Sequence, residues 1–308
     1  MLKINFIFIA LLISTNLLAD ASTSTVDKDK NKKEDSISTK QSATTSSSSS
    51  TATSTTTVLP GNNQLTQRNK YSAFISATAI TDSKQTSDDT KDYNSSLALI
   101  LGYQLNSDYR LGLVTSLVKN LNQTYEENIN DSTFSVAYKP VALGNGYLVI
   151  PRALFTIPTS KNSKVRDDMN GAASVAGTFI KQVNSKLSLV ATPLITAYSH
   201  KYTTNRINNV NKQYSASESL NINYSFTDKF FTSASLQFAQ SWSYRGTKRD
   251  DQYGTDFSAN YMPQSQVTVS AGISTGGQIY RNQKGPDSAI EVYDPNSTSF
   301  YLNYVLSI

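Results

Sequence analysis

The sequence has no cysteine and only one histidine, His200, in 308 residues. The lack of thiols excludes a disulfide framework and cysteine catalysis, and a single histidine excludes a histidine-rich metal site. Beyond residue 21 there is also no apolar run near the roughly 18 residues that a membrane-spanning helix needs. The acidic doublets fall in predicted loops, so we predict neither a metal site nor a cofactor.

Charge of one sign is not concentrated anywhere in the chain. The net charge is +5, but the basic residues are scattered and form no stripe with interleaved aromatics, which argues against a nucleic-acid partner. Aromatic residues, in contrast, are plentiful, with 18 Tyr and 12 Phe in a chain whose mean hydropathy is only −0.37. This combination indicates strands with one apolar and one polar face rather than a bundle of buried helices.

The N-terminal part of the sequence differs from the rest in composition. Residues 1–21 are predicted to be a secretory signal peptide, with Lys3, an apolar stretch over 6–18 and a cleavage site at 19–21. The alternative is an N-terminal membrane anchor, for which the apolar stretch is short. Residues 22–68 are rich in Ser, Thr and Lys and offer almost nothing apolar to offset chain entropy. They are predicted to be a disordered periplasmic linker.

Apolar and polar residues alternate with period 2 over residues 69–308, in about twelve segments near the roughly 9 to 11 residues of a transmembrane strand. The predicted strands span 70–81, 93–105, 108–120, 131–142, 147–158, 171–183, 186–201, 214–226, 229–244, 253–262, 266–281 and 297–308. Short turns follow the even strands and longer polar loops follow the odd ones. This alternation is typical of a closed antiparallel transmembrane β-barrel, and all-β is therefore the predicted fold class.

A soluble β-sandwich or solenoid would also give short strands and polar turns. Such folds have no reason to alternate short and long connections, so the barrel is preferred. Two residues do not fit the pattern: Glu218 falls on an apolar face and Pro193 interrupts a strand. A β-bulge or a position near the rim of the barrel is expected to accommodate each of them.

The final strand alternates most clearly. Its apolar face consists of Phe300, Leu302, Tyr304, Leu306 and Ile308. This pattern resembles the C-terminal recognition strand of Gram-negative outer-membrane β-barrels, although that family usually ends in Phe rather than Ile. The resemblance implies an outer-membrane location, with bilayer lipid and lipopolysaccharide as partners. It also implies recognition of this strand by the barrel-assembly machinery.

Three basic residues are the candidate site. Arg110, Lys139 and Arg152 fall on the predicted polar face of three consecutive strands. Charged side chains that face the lumen of a membrane barrel set its ion preference, so we predict that these residues line a pore. They give the chain a resemblance to small twelve-stranded porins for acidic sugars. The alternative is that they pair with turn or loop carboxylates, or are solvated at the rim.

The leading functional prediction is a narrow passive channel for small solutes, with anions as a candidate class. Inward Leu148, Ile150 and Leu154 indicate that part of the lumen is apolar, and this part is either plugged or open to a hydrophobic solute. The alternatives are a structural or adhesive barrel with a closed lumen and functional outer loops, and an outer-membrane enzyme of unrecognised type. An enzyme is not predicted, because Ser199 and His200 are adjacent and point to opposite faces of a strand. The solute and the oligomeric state stay open.

Overall fold

A computed structural model describes residues 70–84, 93–121, 127–249, 251–279, 293–294 and 297–308. The predicted signal peptide and linker lie outside these residues. In the described part of the chain, no helix is both long enough and apolar enough to cross a membrane.

The described residues form fourteen β-strands and one π-helical turn. The strands are β1 Tyr71–Asp82, β2 Tyr93–Gln104, β3 Tyr109–Asn120, β4 Glu127–Ile129, β5 Ser132–Tyr138, β6 Val141–Gly144, β7 Tyr147–Ile157, β8 Met169–Gln182, β9 Leu187–His200, β10 Lys212–Ser225, β11 Phe230–Ser243, β12 Gln252–Gln264, β13 Val267–Gln278 and β14 Thr298–Ser307. The π-helical turn, Asn162–Arg166, lies in the connection between β7 and β8.

The sheet closes on itself. Neighbouring strands pair antiparallel around the ring, and β1 pairs with both β2 and β14. The short strands β4, β5 and β6 together occupy one position in the ring, between β3 and β7. Counted this way, the barrel has twelve transmembrane strand positions, here called staves. This number confirms the predicted fold class and strand number.

The fourth stave is broken, whereas the sequence predicts an unbroken strand there. Before the break Ala137 opposes Arg152, and after it Val141 opposes Val149, so the stave gains one residue relative to β7. Pro140 lies in the gap and has no N–H to donate to a ladder. The proline therefore accounts for the separation of β5 from β6.

Connection lengths alternate as predicted. One end of the barrel, here called the turn end, has only short connections, over residues 105–108, 145–146, 183–186, 226–229 and 265–266. The opposite end, the loop end, has the longer connections. This arrangement is that of barrels with tight periplasmic turns and longer external loops.

The outward face of the barrel is strongly apolar. Among the exposed outward side chains are Val175, Ile195, Leu302 and Phe257, with exposed fractions of 69%, 60%, 57% and 53%. A continuous apolar surface of this kind is unfavourable in water and marks contact with lipid. Aromatic side chains border this surface: Tyr214 opposes Trp242 near the loop end, and Tyr224, Phe226 and Phe230 contact one another near the turn end.

The two residues that do not fit the pattern oppose each other on this outward face. Pro193 of β9 pairs with Glu218, which is the seventh of the 14 residues of β10. The register runs without a shift past both residues, so the expected bulge is absent, and a mid-strand position is not the rim. Pro193 instead interrupts the ladder between β9 and β8, on the side of β9 away from β10. There Gly177 and Thr178 of β8 are not paired with β9.

Candidate pore lining

The inward face of the barrel consists largely of small polar side chains that hydrogen-bond across strands. Ser76 and Thr78 of β1 donate to the Asn303 side-chain oxygen of β14, at 2.8 and 3.0 Å. Ser174 and Thr196 share a hydrogen bond of 2.8 Å between β8 and β9, and both are buried. Networks of this kind satisfy the polar groups of the lumen wall without using charges.

Arg110 lies on the inward face near the turn end, as the second residue of β3. Its guanidinium donates a hydrogen bond to the Ser72 hydroxyl on β1, so the side chain extends across the whole width of β2. Gly102 of β2 makes this possible, because a Cβ at that position would lie 2.7 Å from the guanidinium and 2.6 Å from the Ser72 oxygen. The glycine therefore provides the space in which Arg110 lies.

Arg152 lies at the middle of β7, as the sixth of its 11 residues. Its guanidinium donates to the Thr178 hydroxyl at 2.6 Å, and Thr178 is fully buried. Arg110 and Arg152 both oppose Ala137, one from each side. Because neighbouring strands are roughly 4.8 Å apart, the backbones of the two arginines are separated by about 10 Å across the wall.

Lys139 is placed differently from the two arginines. It lies in the break between β5 and β6, its backbone N–H donates to the Asp108 carbonyl at 2.7 Å, and its ammonium lies 2.7 Å from the Asp108 carboxylate. Lys139 is thus paired with a carboxylate of a turn, which was the alternative to pore lining in the sequence analysis.

We expect the replacement Lys139→Ala to leave the ion preference of any pore unchanged. The charge of Lys139 is compensated locally by Asp108, and both side chains are substantially exposed to solvent, where screening is strong. The measurement is the reversal potential across a planar bilayer under a KCl gradient. A shift as large as that caused by an arginine replacement would show that Lys139 faces the permeation path.

An acidic residue, Asp256, lies on the opposite wall and was not among the predicted site residues. It is on the inward face of β12, where it accepts a hydrogen bond of 3.1 Å from the Tyr301 hydroxyl. From the stave of Ala137, β12 is reached in six steps around the ring of twelve, through β7, β8, β9, β10 and β11. Sequence alternation already placed Asp256 on a polar face, but only the closed ring shows which wall it faces.

Five apolar side chains also point inward, on β7, which carries Arg152, and on β9, two strands away. The register places Leu148, Ile150 and Leu154 on the same face of β7 as Arg152, and Val190 and Leu194 on the inward face of β9. Val190 is buried. The lumen wall thus combines an arginine pair, an apolar area beside one of them, and a carboxylate on the far side.

Ser199 and His200 do not share a face of β9. Ser199 and His200 are adjacent residues of β9, where they oppose Gly171 and Met169 of β8. Their side chains therefore point to opposite faces of the strand. The His200 ring instead contacts the rings of Tyr198 and Tyr244. Among the residues that the structure describes, no group of three or more His, Cys, Asp or Glu could hold a metal ion.

The fold of the barrel resembles that of solved outer-membrane channels. An outer membrane channel from Pseudomonas putida F1 aligns with a TM-score of 0.56 and 12% identity, over 81% of this chain and 99% of that one. The fold is that of an outer-membrane porin. The NanC porin aligns over 76% of this chain and 98% of its own, with a TM-score of 0.51 and 9% identity. No protein-family model and no curated protein sequence matches the chain.

Proposed function

We propose that this porin-fold chain is a passive channel for small solutes in the outer membrane. The observation that carries the proposal is the inward face, where charged and small polar side chains line a closed barrel whose outward face is apolar. The fold likeness to the Pseudomonas putida F1 channel and to the NanC porin supports the same proposal.

We further propose that the channel prefers anions weakly. Arg110 and Arg152 face Asp256 across the lumen, so cationic side chains outnumber the carboxylate there. Another inward carboxylate, Asp82, lies near the loop end with the Lys84 ammonium 3.3 Å away. Since a charge on a pore wall attracts its counter-ion and repels ions of its own sign, a small excess of positive charge gives a modest preference for anions.

Reconstitution into planar bilayers tests the channel and its preference together. The wild-type chain should show discrete conductance steps and a reversal potential that favours chloride over potassium. Replacing Arg152 by Ala should lower the ratio of chloride to potassium permeability roughly two- to threefold, and Asp256→Asn should raise it by a similar factor. If neither replacement moves the reversal potential of a conducting barrel, these side chains do not line the permeation path.

A second candidate function is a structural or binding barrel with a closed lumen. It is favoured by Val190 and Phe231, two inward apolar side chains that are each only 4% exposed. Such packing indicates that at least part of the interior is filled by the barrel's own side chains. Insertion into the bilayer without any conductance would support this second function and overturn the first.

A further inference from the structure

Among the residues that the structure describes, the Arg152 guanidinium finds a partner for only a small part of its hydrogen-bonding capacity. It carries five N–H donors, and its only hydrogen bond within the described residues is the one to Thr178. No carboxylate in the described part of the chain forms an ion pair with it. In the loops, by contrast, the Arg166 guanidinium binds both oxygens of the Asp167 carboxylate, at 2.9 and 3.1 Å.

A half-buried guanidinium with free donors is a suitable partner for a carboxylate from outside the chain. Planar guanidinium and carboxylate groups match in a two-point hydrogen bond that is charge-assisted, so it is stronger than a neutral one. Burying a cation without such a partner costs free energy, which a bound anion would recover. The position of Arg152 at mid-strand places this partner inside the lumen, away from both rims.

Apolar side chains lie beside Arg152 on the inward face. Ile150 and Leu154 flank it on the inward face of β7, two residues to either side. Leu194 opposes Ala176, which in turn opposes Arg152. Hydroxyl groups lie on the same wall, because Thr178 accepts a hydrogen bond from Arg152 and Thr192 donates one to Thr178 at 3.3 Å. A carboxylate that carries an apolar body uses the guanidinium and these apolar side chains together.

We propose that Arg152, together with Ile150, Leu154 and Leu194, forms a lumen subsite for small monocarboxylates with an aliphatic or aromatic body. The guanidinium binds the carboxylate of the solute, and the three apolar side chains remove the body of the solute from water. This inference rests on the proposed channel function and names its solute class. It differs from a general anion preference because it predicts that binding of the solute strengthens with the length of its apolar body.

The test compares hexanoate with acetate as inhibitors of chloride current through the full chain. Each fully buried methylene strengthens binding about fourfold, and hexanoate has four more methylenes than acetate, so partial burial should give at least a tenfold difference in inhibitory concentration. Neutral hexanol should not inhibit. Equal inhibition by hexanoate and acetate in a conducting channel would overturn the subsite while leaving the channel intact.

Three variants assign the effect to the proposed residues. Arg152→Gln, which can still bond to Thr178, should abolish inhibition by hexanoate. Leu154→Asn should remove the advantage of hexanoate over acetate. Leu148→Asn is the matched control, because Leu148 lies on the same face of the same strand but four residues from Arg152, and it should leave this advantage unchanged. Equal effects of the two leucine replacements would contradict the assigned position.

A binding measurement decides the subsite even if the barrel does not conduct. Isothermal titration calorimetry of hexanoate into the detergent-solubilised full chain should detect binding that Arg152→Gln removes. A shift in gel mobility on boiling verifies that each variant is folded. Binding without conductance would overturn the channel and retain the subsite, and the absence of binding in a folded wild-type chain would overturn the subsite.

Discussion

Replacing Gly272 by Ala is expected to destabilise the barrel by about 2–5 kcal/mol. The ring of Tyr301 on β14 lies over Gly272 on β13, and its hydroxyl bonds to Asp256 on β12. A Cβ at Gly272 would overlap the Tyr301 ring and would lie 2.5 Å from its hydroxyl and 2.7 Å from the Phe257 carbonyl oxygen. The backbone cannot move without disturbing the ladder, so Tyr301 must leave and its hydrogen bond is lost.

The free energy of unfolding can be measured by urea titration in lipid vesicles, with the emission of Trp242, the sole tryptophan, as the signal. Gly254→Ala is the matched control on the neighbouring strand. The nearest atoms to a Cβ there belong to the Gln237 side chain, at 3.8 Å, which is ordinary van der Waals contact. This control should change stability by less than about 1 kcal/mol. Equal losses in both variants would attribute the effect to the loss of glycine itself rather than to Tyr301.

Replacing Val175 by Arg is expected to destabilise the chain in a bilayer by about 2–4 kcal/mol. Val175 is the seventh of the 14 residues of β8 and is 69% exposed on the outward face. On a water-exposed surface the same replacement would change stability by less than about 0.5 kcal/mol, because nothing covers the side chain. In lipid, the guanidinium must either be desolvated or draw water and headgroups into the hydrocarbon region.

Val183→Arg is the control for this second prediction. Val183 directly follows β8 at the turn end and is 47% exposed. At that depth the charge reaches the interface, and the cost should be only about 0–1 kcal/mol. Urea unfolding in vesicles of the same composition compares the two variants directly. A Val175→Arg variant as stable as the wild-type chain would show that lipid does not surround this face.

Local sequence patterns were sufficient to predict most of the architecture. Strand number, closure and the alternation of short and long connections all follow from period-2 alternation and the position of turn residues. These signals are local, since side chains on a strand alternate between faces whatever the strand pairs with. The C-terminal strand is an example, because Phe300, Leu302 and Tyr304 are each exposed on the outward face as their alternation predicts.

Features that depend on neighbouring strands were predicted poorly. The wall occupied by Asp256 and the contact of Arg110 with Ser72 across Gly102 depend on register and ring order, which the sequence does not state. The pairing of Glu218 with Pro193 was missed for the same reason. The break at Pro140 was not foreseen either, and the pairing of Lys139 with a turn carboxylate, that of Asp108, was foreseen only as an alternative. The predicted role of Lys139 in lining the pore stays a prediction.

The contact between β1 and β14 has a consequence for biogenesis. The hydrogen bonds from Ser76 and Thr78 to Asn303 join residues that are 227 and 225 positions apart. Until the ten residues of β14 have been synthesised, every partial sheet has two unpaired edges, whose N–H and C=O groups lipid cannot satisfy. Unassisted insertion hairpin by hairpin from β1 would leave these groups unsatisfied in the lipid. The nascent polypeptide has to be protected from aggregation until β14 is available to complete the ring.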